Sequence, residues 1–307
     1  MHYYTDYNSY EGTKRSAVTL GKFDSLHRGH QKLISAVKKY ASREDLTSIV
    51  FSFDMGKQAL LTNEERRAFL EDEVDCLIQN PFVKEIREMD AETFIKEVLV
   101  NKLHAAYIIV GTDFRFGYKA TGDVKMLARY EEEAGYHLIV VDKEMYQDRE
   151  ISSTYVRELL KEGNVELANK LLGYVYSMEG TVEHGKKLGR TLGFPTMNAA
   201  PAHRKIMPKF GVYACRVEID GVWYYGIGNV GIKPTVTDKK KLLVEVFVFG
   251  YNGNAYDKEI KVEFCAFERP ETKFGSIEEL KKQVDNDIVY GMNYFHIQDV
   301  QLKKEIR

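Results

Sequence analysis

Between residues 17 and 173, apolar runs of strand length alternate with stretches whose apolar residues recur every three or four positions. Ala17–Leu20, Ser48–Phe53, Ala106–Val110 and His137–Val141 read as buried strands, and the first and third stop at Gly21 and Gly111. The stretches from His30 to about Ser42, Asn63–Glu73, Ala91–Lys102 and Asp123–Glu133 read as helices, with Asn63 placed to cap its own. Strands separated by helices predict parallel βαβ units: an α/β domain with a doubly wound parallel sheet, whose ligands sit beyond the carboxyl ends of the strands. Two further helices, Ser153–Glu162 and Val165–Leu172, joined at Gly163-Asn164, are expected to close this domain.

From Tyr174 the period changes to two. VYSMEGTVEHG, GVYACRVEIDGVWYYGIGNVG, LLVEVFVFGY and KEIKVEFCAFER are strand-like, with Asp220-Gly221 and Asn252-Gly253 as hairpin turns. A last helix is expected over about Ile277–Asp287. This half predicts a small antiparallel β-barrel with a terminal helix. Two domains, 1–173 and 174–307, suit a chain of 307 residues.

Composition narrows the function. Apolar residues at 44% and charged residues at 29% are ordinary for a globular protein. A net charge of -2 supplies no basic face for nucleic acid and no attraction to an anionic membrane. Cys76, Cys215 and Cys265 stand apart in apolar surroundings, without metal-site or disulfide spacing. The tyrosine-rich start has no apolar signal core, and no apolar run approaches the ~20 residues of a membrane span. The expectation is a cytoplasmic protein, monomeric or weakly homo-oligomeric, whose partners are small molecules.

The chemistry of the first half centres on GKFDSLHRGH, residues 21–30. His27 and His30 flank Gly29 where a strand gives way to a helix. Amides at a helix start favour an anion, so a phosphate docked there would have two imidazoles beside it to stabilise charge at an α-phosphorus. HRGH at 27–30 resembles the signature of the nucleotidylyltransferase superfamily. GTDFRFG at 111–117 and ISSTYVR at 151–157 narrow the resemblance to the FMN adenylyltransferase domain of bacterial bifunctional riboflavin kinase/FAD synthetases. It implies ATP contacts at Gly21, Phe23, Asp24, Gly29, Ser152, Ser153 and Thr154, and flavin contacts at Asp113 and Phe116. His27, His30 and Arg157 would stabilise the transition state. Two positions depart from the family pattern: Ser25 replaces a glycine, and Phe53-Asp54-Met55-Gly56-Lys57 lacks a proline–histidine–proline element, leaving Lys57 as the cation there.

In the second half, GKKLGRTLGFPTMN (185–198) carries the strongest signal. Gly185, Gly189 and Gly193 let backbone approach phosphates, with Lys186 and Arg190 beside them. Thr196 and Asn198 alternate across Met197 and share a strand face, offering a hydroxyl and an amide oxygen to Mg²⁺. A near P-loop at Gly180–Lys187 is rejected, because Lys187 stands where a hydroxyl must bind the metal. The stretch resembles the riboflavin kinase signature down to PTxN at 195–198. GIGNVGIKPT (226–235), Glu245 and ERPETKF (268–274) extend the resemblance, which implies flavin contacts at Asn229 and Arg269 and a general base at Glu245. A lone carboxylate among Val244, Val246 and Phe247 is expected to be buried and raised in pKa, unless it faces outward on an alternating strand.

The resemblance spans about residues 16–290 and implies two ATP-dependent steps. Riboflavin is phosphorylated to FMN by MgATP, and FMN is adenylylated to FAD with release of pyrophosphate. Two other readings stay open at this point: a homologue with only one working domain, the first domain being the weaker, and a flavin-sensing regulator without turnover.

Overall fold

The computed structural model describes residues 1–184, 193–234 and 240–297. The chain divides into two compact units, Met1–Ser153 and Thr154–Arg307.

The first unit is a sheet of six parallel strands: β1 (His2–Tyr4), β2 (Ser16–Gly21), β3 (Thr47–Asp54), β4 (Cys76–Pro81), β5 (Ala105–Gly111) and β6 (His137–Val141). Their order, β1-β4-β3-β2-β5-β6, reverses direction at β2 and β5. Helix α1 (Arg28–Glu44) packs Val37 and Ala41 on Ala17, Tyr107 and Ile109 on one face. Phe51, Ile78, Phe94, Leu99 and Phe116 build the larger core on the other. The central strands are apolar on both faces because helices cover both.

Three local expectations change. Strands β1 and β4 carry no strong pattern of their own. CLIQNP buries Gln79 and Asn80, whose amide oxygens accept from Tyr3 Oη at 3.2 Å and the Tyr7 amide at 2.9 Å. The tyrosine-rich start therefore becomes an edge strand, held by partners distant in sequence. Helix α2 (Asn63–Leu70) is capped by Thr62, not Asn63: Thr62 Oγ1 accepts from the Glu65 amide while Glu65 accepts from the Thr62 amide. Ala91–Lys102 starts as α-helix at Ala91–Thr93 and continues as a π-helix over Phe94–Lys102.

Helix α3 (Val124–Ala134) precedes β6. Helices α4 (Ser153–Glu162) and α5 (Val165–Leu172) have their expected bounds, and from Thr154 onward they belong to the second unit. Asn169 on α5 donates to the Phe264 carbonyl at 2.9 Å and accepts from the Tyr176 amide at 2.8 Å. The Lys209 amide donates to the Leu160 carbonyl at 2.8 Å. These bonds lie within the unit Thr154–Arg307.

The second unit is a closed antiparallel barrel of β7 (Ser177–Glu183), β8 (Thr196–Ala199), β9 (Gly211–Ile219), β10 (Val222–Pro234), β11 (Lys240–Val248) and β12 (Glu259–Pro270), in the order β7-β8-β11-β10-β9-β12. Asp220-Gly221 makes the two-residue hairpin between β9 and β10, both residues at positive φ. Asn252-Gly253 instead lies within the ten-residue connection from Phe249 to Lys258 and turns no hairpin. Helix α6 (Ile277–Tyr294) runs beyond the expected Asp287. Ile288 joins Phe194, Ile227, Phe247 and Phe249 in an apolar layer on the outside of the barrel. Gly291 permits this contact, since a Cβ there would meet Ile227 at 2.7 Å.

Candidate active sites

In the second unit the strand period decides which side chains meet. Val244, Val246 and Val248 are buried, as is Cys215, and the space beside Gly228 is bounded by Cys215, Val244 and Val246. Glu245 and Phe247 therefore turn to the opposite, outer face, where α6 roofs a cavity of about 290 Å³. Thr196, Asn229, Glu245, Phe247, Arg269 and Asp287 are among its lining residues. The expected burial of Glu245 among valines is thus corrected: the outward face holds the site, and Glu245 is only half-buried. Its Oε1 accepts from Thr196 Oγ1 at 2.7 Å. Asn198 pairs directly across from Glu245, and Thr196 from Phe247, so the hydroxyl and the amide lie on the same strand beside the carboxylate.

These groups suit one kind of cation. Thr196 and Asn198 supply neutral hard oxygens, and no group of three or more His, Cys, Asp or Glu side chains able to hold a metal exists among the described residues. Such a pair fits Mg²⁺ that arrives already neutralised by ATP phosphates. Gly185, Lys186, Gly189 and Arg190, expected at the phosphates, lie outside the described residues. Gly193 is described, exposed and at φ +91°.

The residues expected at the flavin stand in different surroundings. Asn229 lines the cavity, its Nδ2 directed at Glu271 Oε1 at 3.3 Å. Its Oδ1 is buried without a donor among the described residues, an acceptor ready for a ligand N–H. Arg269 also lines the cavity, but its guanidinium grips Asp287 of α6 in two bonds, Nε to Oδ1 at 2.8 Å and Nη2 to Oδ2 at 2.6 Å. Asp287 was invisible to sequence reasoning. Its one signal is an aspartate next to an apolar helix position, Ile288, that packs inward.

In the first unit the histidines are close. The imidazoles stack with centroids 3.8 Å apart, and His30 also packs on Phe23 at 5.1 Å. His27 caps α1, its Nδ1 accepting from the His30 amide at 3.3 Å. The neutral ring therefore carries its proton on Nε2, ready to donate to a phosphate oxygen. Burial lowers the His27 pKa to about 4. Burial also holds His30 well below the usual range, helped by His27 and Arg66. Gly29 lets the ring fold back, because a Cβ would lie 3.1 Å from the His27 ring. Of the expected orphan amides, that of His30 is satisfied by this cap.

Neighbouring residues have other partners than expected. Gly21 sits against the Phe23 ring, 3.3 Å from where its own Cβ would be. Phe23 is wholly buried at φ +43°, so its ring supports His30, and its carbonyl accepts from Arg66 Nε at 2.9 Å. Asp24 accepts from the Leu60 amide at 3.1 Å, so this carboxylate organises the loop. Arg66, missed in the sequence, is 3% exposed and donates to Phe23, Leu61 and Asn63, pinning the histidine loop. Ser25, the departure from glycine, lies 2.9 Å hydroxyl to hydroxyl from Ser153 and so ties this loop to the 151–157 segment. Ser152 belongs to the same segment. Thr154 and Arg157 stand in the first turns of α4, in the second unit. Lys57 is exposed.

Asp113 is exposed and paired with Lys143 at 2.9 Å, and Lys143 also holds Glu150 at 2.7 Å. Phe116 is a correction. The residue is 6% exposed, its ring packed on Phe94 and Phe114 in the main core. Phe116→Ala is expected to destabilise the first unit by about 3–5 kcal/mol, read as an earlier denaturant transition. An unshifted transition with weakened FMN binding would return the ring to the ligand.

Comparison with known proteins finds a family match in each half of the chain. A family model described as FAD synthetase matches residues 10–155, and one described as riboflavin kinase matches residues 172–295. The bifunctional riboflavin kinase/FMN adenylyltransferase of Haemophilus influenzae is 37% identical over 91% of this chain and 94% of its own. That of Listeria monocytogenes is 34% identical over 88% and 89%. A crystal structure described as a macrolide-efflux protein from Streptococcus pneumoniae superposes with a TM-score of 0.86 at 29% identity, covering 95% of this chain and 98% of that one. No described helix here is long and apolar enough to cross a membrane. With two family models in tandem and end-to-end relatives of one kind, the chain belongs to the bifunctional riboflavin kinase/FMN adenylyltransferase family.

Proposed function

We propose that the chain makes FAD in two phosphate transfers, one in each unit. In the barrel, the 5′-hydroxyl of riboflavin attacks the γ-phosphorus of ATP. Its proton passes to Glu245 as the new O–P bond forms and the bond to the bridging oxygen breaks, giving FMN and ADP. Mg²⁺, held by Thr196 and Asn198 together with the phosphates, would neutralise charge on the transferring group. The observation that carries this step is the 2.7 Å bond between Thr196 and Glu245 inside a cavity of flavin-compatible, half-apolar lining. It supports a base standing beside a metal-competent hydroxyl, which ligand sensing alone does not require.

In the first unit, a phosphate oxygen of FMN attacks the α-phosphorus of a second ATP, and pyrophosphate leaves. The neutral His27 donates from Nε2 to the developing charge, with His30 stacked behind it. Arg157, Ser152, Ser153 and Thr154 are assigned to the triphosphate by motif, and Asp113 to the flavin. Buried Arg66 adds a fixed positive charge near His30. Small molecules are the proposed partners, in the cytoplasm.

The test is incubation of the purified chain with MgATP and either riboflavin or FMN, oxidised and reduced, followed by chromatographic separation. FMN from riboflavin and FAD from FMN are expected. Absence of the first product removes the kinase reading, and absence of the second under both redox conditions removes the transferase reading.

A further inference from the structure

The wall between the flavin cavity and α6 contains more negative charge than its cation satisfies. Arg269 spends Nε and Nη2 on Asp287 at 2.8 and 2.6 Å, and Nη1 on the Pro270 carbonyl at 3.2 Å. Gln283 of α6 adds a donor to Asp287 Oδ1 at 2.8 Å. Asp287 is 2% exposed, so its carboxylate is sealed under the helix while Arg269 stays partly exposed. Glu268 stands next in the strand, within hydrogen-bonding reach of Asp287, and its Oε2 is buried with no donor among the described residues. Two ionised carboxylates against one occupied guanidinium are costly in such a place. A single proton resolves the conflict, because a protonated Glu268 donates to Asp287 and leaves the Arg269 grip intact.

We propose that Glu268, Arg269 and Asp287 form a proton-dependent clasp that seats α6 over the flavin cavity, Asp287 positioning Arg269 in the cavity wall and the Glu268 proton keeping the clasp closed. The proposal rests on the kinase reading of that cavity. The groups facing Glu268 are Arg269 on its own strand and Asp287 and Tyr290 on α6, with Glu166 of α5 also acting on Tyr290. Burial first, then the charge of Asp287, raise the Glu268 carboxyl to about 7 against the pull of Arg269. A folded pKa above the unfolded one gives a contribution that is full in acid and fades as pH rises through about 7. Flavin binding under α6 therefore weakens as the solution becomes more basic.

The experiment is riboflavin phosphorylation at saturating MgATP from pH 6 to 8.5, with riboflavin KM and kcat resolved, and riboflavin fluorescence titration beside it. The wild-type KM should rise about tenfold across this range, one proton being lost per clasp opened. Glu268→Gln, which mimics the protonated acid, should hold KM near its acid value throughout. Asp287→Asn should raise KM at every pH more than it lowers kcat. Combined with Arg269→Gln, it should add nothing to the Arg269→Gln effect. A flat wild-type profile, a Glu268→Gln profile that still titrates, or additive effects of the two clasp variants overturns the clasp. The wild-type profile requires no variant to fold. If the wild-type chain forms no FMN at any pH while still binding riboflavin with the expected pH dependence, the kinase reading fails and the clasp stands. If neither is seen, both fall.

Discussion

Glu245→Gln is expected to lower riboflavin phosphorylation by about 10²–10⁴-fold, the usual contribution of a positioned general base, while FAD formation from supplied FMN continues at its original rate. Glutamine keeps the shape and still accepts from Thr196 Oγ1, the bond now made by Glu245 Oε1 at 2.7 Å. Only the ability to take a proton is lost. The effect should therefore fall on kcat, with riboflavin KM changed little. Steady-state kinetics of both half-reactions on the same preparation would decide the matter. A modest fall in kcat would mean another group takes the proton. Loss of both reactions would mean the variant has lost its fold.

The second large effect belongs to the first unit. His27→Asn should slow FMN adenylylation by about 10²–10³-fold, the scale of one lost transition-state donor, and leave riboflavin phosphorylation intact. Asparagine is a good helix cap, so α1 keeps a partner for the His30 amide that His27 Nδ1 now accepts at 3.3 Å. Because burial puts the His27 pKa at about 4, the ring is neutral from pH 5 to 8. The ratio of wild-type to variant rates should be constant over that range. A ratio that grows as pH falls through 6.5 would show that an imidazolium does the work, against the assignment of a neutral donor. The same depression bears on stability. The unfolded chain binds this proton near pH 6.5 and the folded one only near 4, so stability falls on acidification across that window.

The motifs located both sites because they are local. PTMN needs only the strand period to put Thr196 and Asn198 on one face, and HRGH needs only a helix start to bring His27 and His30 together. The pattern of strands and helices was equally legible where burial on both faces makes a strand apolar throughout, as in β5. It failed at β1 and β4, whose pairing is supplied by neighbours far along the chain. Phe116 shows the same limit within a motif: a flavin-like aromatic in sequence is a core ring in space.

What the chain determined by itself was therefore the fold class of each half and the residue types of each site, since both follow from periods of two and 3.6 and from short, contiguous motifs. Tertiary structure alone decided which face of β11 is chemical, turning Glu245 out from the barrel core and under α6. It also decided which nitrogen of His27 is free to act, and which carboxylate 18 residues away holds Arg269. Hydrogen bonds between distant segments and the exclusion of water fix protonation and orientation, and neither is written in local order.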